Sequence, residues 1–286
     1  MDNKGSSTIE IGVALVIIVV IFAVMLNSSQ IATQKVSETE ENQKIEVMLA
    51  EITDYLINNP GDDKWVEYKK TPGLAIVNEG GETIPNSVSY TKLLALGSDY
   101  SKFVDEKIFG GKMKSSIELI PQKSTISSVK LGHGDESKNV YSQNRLVKCD
   151  FFKGYVIKDF QNPGKCNHNH DSGTHSCNYF KIFKGNLKKA DYYILIDGAE
   201  KYSCKYFFDT SGNKNFGEWN TVESEKIYLN DKLDFYNTTS EIVFIHFDKK
   251  DVRVCLVGVP KNFDKKNLKY DYFRTNDCEL IIRAWY

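Results

Sequence analysis

No cysteine occurs before residue 149 of this 286-residue chain, no glycine or proline between Asn27 and Asn59, and no long basic run anywhere. Each absence excludes something. With 37 basic against 38 acidic residues and a formal net charge of −1, the chain offers no electropositive face to a nucleic acid. It carries no G-x-S-x-G elbow, no H-E-x-x-H helix and no Walker loop. No catalytic constellation is legible, and the chain reads as a non-enzyme. Two of its five histidines, His133 in LGHGDES and His246 in an apolar run, read as a loop residue and a core residue without identifiable partners. The stretch FFDTSGNKNFGEW alternates Asp209, Ser211, Asn213 and Asn215 like the start of a calcium loop. Its glycine stands fourth instead of sixth and no glutamate follows at the twelfth place, so a strand-to-strand turn is the better reading. Internal repeats and low-complexity tracts are absent too.

What is present begins with KGSSTIEIGVALVIIVVIFAVML. Ile9 and residues 11–26 carry no charge, yet Glu10 stands near the start of the run, where a carboxylate entering lipid costs ~2–3 kcal/mol or more. Counted from Ile9 the run is slightly short of the ~20 residues that span a bilayer, a gap its flanking turns can close. A secretory signal peptide has a basic segment before its apolar core and an A-x-A-like cleavage site after it. Here only Lys4 precedes the run and no such site follows Leu26, so the segment reads as a retained membrane anchor. Lys4 lies before it and no Lys or Arg follows until Lys35, which puts the N-terminus inside and the rest outside.

The short leader, Gly5, Glu10 and the apolar run together resemble the N-terminus of type IV pilin-like precursors, most closely the archaeal class III signal peptide. That resemblance implies a prepilin-type peptidase that cuts after Gly5, frees Ser6 as the mature terminus and leaves the anchor in place. The archaeal pattern has Gln, Ser and Glu at mature positions one, three and five; Ser6, Thr8 and Glu10 match it with one identity and one conservative change. The Phe with which bacterial pilins usually begin is missing. In the family, the glutamate is thought to pair with the α-amine of an adjacent subunit, which here means Glu10 with Ser6. Each charge is costly alone among packed apolar helices and tolerable as a pair. A plain glutamate in a first helical turn gains roughly 0.3–1 kcal/mol from the macrodipole, but that accounts for neither Gly5 nor the missing cleavage site. The partners implied are other pilin subunits, the peptidase and the membrane, with the head at the cell surface. A membrane-anchored monomer that captures a metal or a glycan is the alternative.

The expected fold class is α+β: a long N-terminal helix followed by a β-rich, sandwich-like head. Residues 1–5 are the leader and 6–58 the helix, apolar over 9–26 and amphipathic over 27–58, about 75 Å long at 1.5 Å per residue. Ile45, Met48, Leu49, Ile52, Tyr55 and Leu56 follow the spacing of an apolar face, and Asn58-Asn59-Pro60-Gly61 is a stop signal. The middle, TQKVSETEENQK, is polar nearly all round and suits solvent or a neighbouring subunit. Residues 62–148 form a connector that mixes turns with a helix expected around 98–109; within it the run from Trp65 through Leu96 loosely resembles a module of archaeal pilin-like surface proteins. From 149 to 286 the chain turns β: YVIKDF, YFKIFKG, DYYILID, KYFFD, EIVFIHF, VRVCLVGV and ELIIRAWY are short, aromatic and β-branched. Two sequons, at Asn27 and Asn237, suit a surface protein.

All six cysteines, Cys149, Cys166, Cys177, Cys204, Cys255 and Cys278, lie in the second half. An even number confined to an outside domain reads as disulfides. Cys166 with Cys177 is the local pair, closing a loop worth ~3 kcal/mol in the entropic model; Cys149 with Cys204 and Cys255 with Cys278 are one way to complete the set. The same loop, CNHNHDSGTHSC, holds three of the five histidines. If residues 171–174 turn a hairpin, the period of two puts His168, His170, His175 and Cys177 on one face. With Cys166 nearby, these could bind zinc in a tetrahedral N/S site. The spacing matches no common zinc motif, and a disulfide-closed loop, a metal site, or a disulfide beside a three-histidine site all remain open.

Overall fold

Helix α1 runs unbroken from Lys4 to Asn58. The computed structural model describes residues 4–286 apart from 69, 79, 135–138, 163, 169–172, 211–217, 234 and 236–237; within α1, side chains are described from residue 19 onward, 32 and 38 excepted. The helix ends where its stop signal predicts. Gly61 turns back with φ +79° and donates its N–H to Asn59 Oδ1 at 2.8 Å, a conformation that favours glycine. A Cβ there would come within 2.5 Å of the Trp65 ring.

Then follow α2 (Trp65–Tyr68), β1 (Ala75–Val77), β2 (Thr83–Val88), α3 (Tyr90–Gly97), β3 (Lys114–Pro121), β4 (Val129–Gly132) and β5 (Tyr141–Cys149). The second half holds β6 (Val156–Asp159), β7 (Ser176–Phe183), β8 (Ala190–Ile196), β9 (Lys205–Thr210) and β10 (Asn220–Thr221). It continues with β11 (Lys226–Tyr228), β12 (Ser240–Phe247), β13 (Val254–Pro260) and β14 (Asn276–Trp285). The chain is α+β. The single helix expected around 98–109 is instead α3, lying earlier, and a π-helical turn over Ser101–Glu106.

Six strands form one sheet in the order β1-β2-β5-β14-β3-β4, antiparallel except where β2 runs parallel to β5. The last third of α1 lies on it. Ile45, Leu49, Leu56 and Ile57 are buried there in one cluster with Leu119, Val147, Leu280 and Ile282. Each side chain so buried stabilises the docking by roughly 1.5–3 kcal/mol before entropy is counted. Met48 and Tyr55, expected on the same stripe, stay more than a third exposed. Arg145 of β5 grips Asp54 of α1 with two bonds, at 2.8 and 3.3 Å.

The division expected near residue 148 is not a boundary between sheets. β14, from the far end of the chain, lies between β5 and β3. Its Cys278, Leu280, Ile282 and Ala284 alternate inward to fill the core beneath α1.

The remaining strands form two antiparallel four-stranded sheets, β10-β9-β12-β7 and β11-β8-β13-β6. A second core draws on both: Phe180, Ile182, Val243, Ile245 and Phe247 from the first, Ile194, Ile196, Val254 and Leu256 from the other. β13 buries both faces, Val254 and Leu256 in this core, Cys255 and Val257 in the core under α1. That double burial is why VCLVGV is an unbroken apolar run. Among the described residues no helix is long and apolar enough to cross a membrane; the side chains of residues 9–18, in the expected anchor, fall outside that description.

Candidate metal centre

β12 is the middle of three long strands, flanked by β7 and β9. Since Val243, Ile245 and Phe247 face the shared core, strand alternation sends His246 to the opposite face. In the register His246 stands between Cys177 of β7 and Phe207 of β9. Before β7 the chain folds back over this outer face. Gly164 donates its N–H to the Cys177 carbonyl at 2.8 Å, an approach so close that a Cβ at Gly164 would sit 2.5 Å from Asn178 Oδ1. Two residues later the backbone delivers Cys166.

The result is three donor atoms within 4.8 Å of one another: the thiols of Cys166 and Cys177 and a nitrogen of His246. His246 Nδ1 is 3.4 Å from Cys166 Sγ and 3.2 Å from Cys177 Sγ. Phe207 stacks on the His246 ring at 4.2 Å and 18°, and Trp219 meets Phe207 edge-on at 4.6 Å. His246 and Cys177 are buried and Cys166 half-buried. Burial, and then the neighbouring Cys166 thiol, push the Cys177 thiol up to about 12. The ring of His168 lies 5.0 Å from that of His246, and its Nε2 is 3.1 Å from Asp209 Oδ2. Asn167 Nδ2 donates to the same oxygen at 2.6 Å. Asp209 is buried, and its other oxygen has no hydrogen-bond partner among the described residues. Two sulfurs and an imidazole nitrogen, buried or half-buried together, belong to the donor types that zinc favours.

This set differs from the one the loop alone suggests. Cys177 and Cys166 are in it and His168 stands beside it. His175 is not in it; its Nδ1 is 2.7 Å from Thr174 Oγ1 and its ring lies against Trp219 at 5.8 Å. His170 lies outside the described residues, as do Ser211, Asn213, Asn215 and the sequon Asn237. His246, read from the sequence as a partnerless core residue, is the centre of the group. The signal was available: EIVFIHF puts a histidine on the strand face opposite Val243, Ile245 and Phe247.

All six cysteines are free thiols. Cys149 of β5 neighbours Cys278 on the adjacent β14, and burial drives the Cys149 thiol far above its ordinary range. Cys204 belongs to the other core and contacts the Glu200 carbonyl at 3.6 Å.

His133 also has partners. Its Nε2 is 2.7 Å from Asp105 Oδ2 and 3.1 Å from Ser101 Oγ, while Ser115 donates to the other Asp105 oxygen at 2.7 Å. Serine, histidine and aspartate meet here, but Ser101 and Asp105 share one ring nitrogen. A catalytic relay uses both nitrogens, so this network ties the π-helical turn to β3 instead. Gly5, Ser6 and Glu10 occupy the first turns of α1, their side chains outside the described ones. No family model, no curated protein and no solved structure matches the chain.

Proposed function

We propose that this chain is a subunit of a cell-surface filament, built like the archaeal type IV pilin-like proteins and structural or adhesive, not enzymatic. One observation carries the reading. The last third of α1 docks on the head, while further up the helix Val19, Val20, Ile21, Phe22, Val24, Met25 and Leu26 are each 48–64% exposed. So dense an apolar surface requires a membrane or neighbouring helices to cover it. Together with Gly5, Ser6 and Glu10, that favours a peptidase-processed subunit, held in the membrane and then packed through α1 against other subunits. The head of more than 220 residues suits a minor or tip component, and the core shared by two four-stranded sheets supports its sandwich-like build. Intact mass and N-terminal sequencing of the membrane-resident protein test this. The expected mature chain begins at Ser6 and retains the apolar run; an intact Met1, or a terminus beyond Leu26, would overturn the reading.

A second reading has its own support in the group of Cys166, Cys177 and His246. In it the chain stays a monomer, anchored by α1, whose head captures a metal such as zinc. Glu10 then has no pairing role.

A further inference from the structure

We propose that the reduced chain holds one zinc ion between Cys166, His168, Cys177 and His246. The site is closed and structural, and it fastens the loop before β7 onto the outer face of the β10-β9-β12-β7 sheet. This deepens the metal-binding half of the second reading and is independent of filament assembly.

Three observations carry it. Zinc bonds of about 2.3 Å to sulfur and 2.0–2.1 Å to nitrogen, at tetrahedral angles, place N and S roughly 3.5 Å apart. His246 Nδ1 already stands 3.4 and 3.2 Å from the two sulfurs, which come from a loop and a strand 11 residues apart in the sequence numbering. Secondly, His168 presents Nε2 to the Asp209 carboxylate at 3.1 Å. A metal-bound histidine commonly gives its other N–H to a carboxylate, which fixes the tautomer and leaves the remaining nitrogen for the metal. Here that nitrogen is Nδ1, and the His168 ring, 5.0 Å from that of His246, has to turn to bring it to the three donors already grouped. Thirdly, Asp209 is 2% exposed and its Oδ1 has no hydrogen-bond partner among the described residues. A buried carboxylate is costly without compensating charge; a divalent cation one imidazole away supplies it.

The binding step balances simply. Two thiols lose their protons to solvent, two neutral imidazoles contribute lone pairs, and Zn²⁺ enters with release of two protons. Four protein ligands leave no open position, which marks a structural site and not one that activates water or hands metal on.

The test uses the full-length chain in detergent, reduced, metal-free and titrated with CoCl₂, then ZnCl₂. One cobalt per chain is expected, with the intense d–d bands of tetrahedral geometry and a thiolate charge-transfer band, both lost on zinc addition. Cys177→Ser and His246→Ala should abolish the thiolate-rich tetrahedral spectrum. Asp209→Asn should keep the spectrum and weaken cobalt about 10–100-fold, as loss of a positioning residue does. Absence of stoichiometric cobalt binding, or an octahedral spectrum, in the wild-type chain overturns the site whether or not the variants fold. A wild-type spectrum in Cys177→Ser overturns it too, and unchanged affinity in Asp209→Asn removes His168 from the ligand set. None of these failures touches the filament reading, which the mature N-terminus decides separately.

Discussion

His246 faces Cys177 across the β12–β7 register, its Nδ1 3.2 Å from the thiol and its ring pinned by Phe207 at 4.2 Å. The contact fixes one thiol of the group rigidly in a strand, while the other, Cys166, arrives on a loop and is less buried. The two sulfurs should therefore differ in reactivity despite being neighbours.

In the reduced, metal-free chain, Cys166 should alkylate first. Cys177, pushed up to about 12 by burial and by its partner, should lag, its rate still rising about tenfold per pH unit at pH 9. Cys149 and Cys255, buried with thiols raised by that burial, should label only on unfolding. Oxidised glutathione should convert Cys166 and Cys177 to a disulfide, each bridge formed yielding two reduced glutathiones, and bound zinc should block this. Timed labelling with peptide mapping reads every arm. Equal rates at Cys166 and Cys149 would contradict the described burial.

Docking of α1 rests on apolar burial, not on its ion pair. Leu49→Ala removes a 1% exposed side chain from the core and should cost about 2–5 kcal/mol. Arg145→Ala breaks a pair whose side chains are 29% and 53% exposed and should cost less than about 1 kcal/mol. Urea unfolding of both variants compares them directly. A larger loss from Arg145→Ala would reverse the ranking.

Glu200 should make the head sensitive to acid. Burial raises its carboxyl, but Lys249, the Arg253 amide and Ser203 together outweigh that and hold it below the ordinary 4.5. A carboxyl depressed in the folded state adds stability that is fully present above its unfolded value and is lost as pH falls through the folded one. From about pH 6 to pH 3, wild type should therefore lose more stability than Glu200→Gln, measured as urea midpoints. Parallel curves would show that Lys249, the Arg253 amide and Ser203 do not outweigh the burial.

Glu10 separates a subunit from a lone anchor. If it meets the Ser6 amine of a neighbour, Glu10→Gln strands a cation among apolar helices at ~3–5 kcal/mol, enough to cut incorporation by about a hundredfold or more. Cleavage after Gly5 should persist, since the residues around it are unchanged. The expected product is processed and membrane-resident but missing from sheared filament fractions. Co-purification with filaments at the wild-type level would favour the anchored monomer.

Much of this molecule is written in local chemistry. The unbroken helix followed from good helix formers without glycine or proline, and its end from Asn59-Pro60-Gly61, because both depend on neighbours a few residues away. Strand segments such as EIVFIHF and ELIIRAWY were readable for the same reason: β-branched and aromatic residues prefer extended backbone, and turn residues separate them. Even the two faces of β12 could be told apart by alternation.

Partnership across long separations was another matter. A strand's alternation says which side chains share a face, but not which strand pairs with it or in what register; that depends on how all the apolar faces are covered at once. So β14 crossed the apparent division at 148 to lie between β5 and β3, where its inward residues complete the core under α1. The same long-range pairing put Cys149 beside Cys278 and His133 on Asp105. It also carried His246 to Cys177, 69 residues away, turning a histidine that reads as a partnerless core residue into the centre of the candidate metal site.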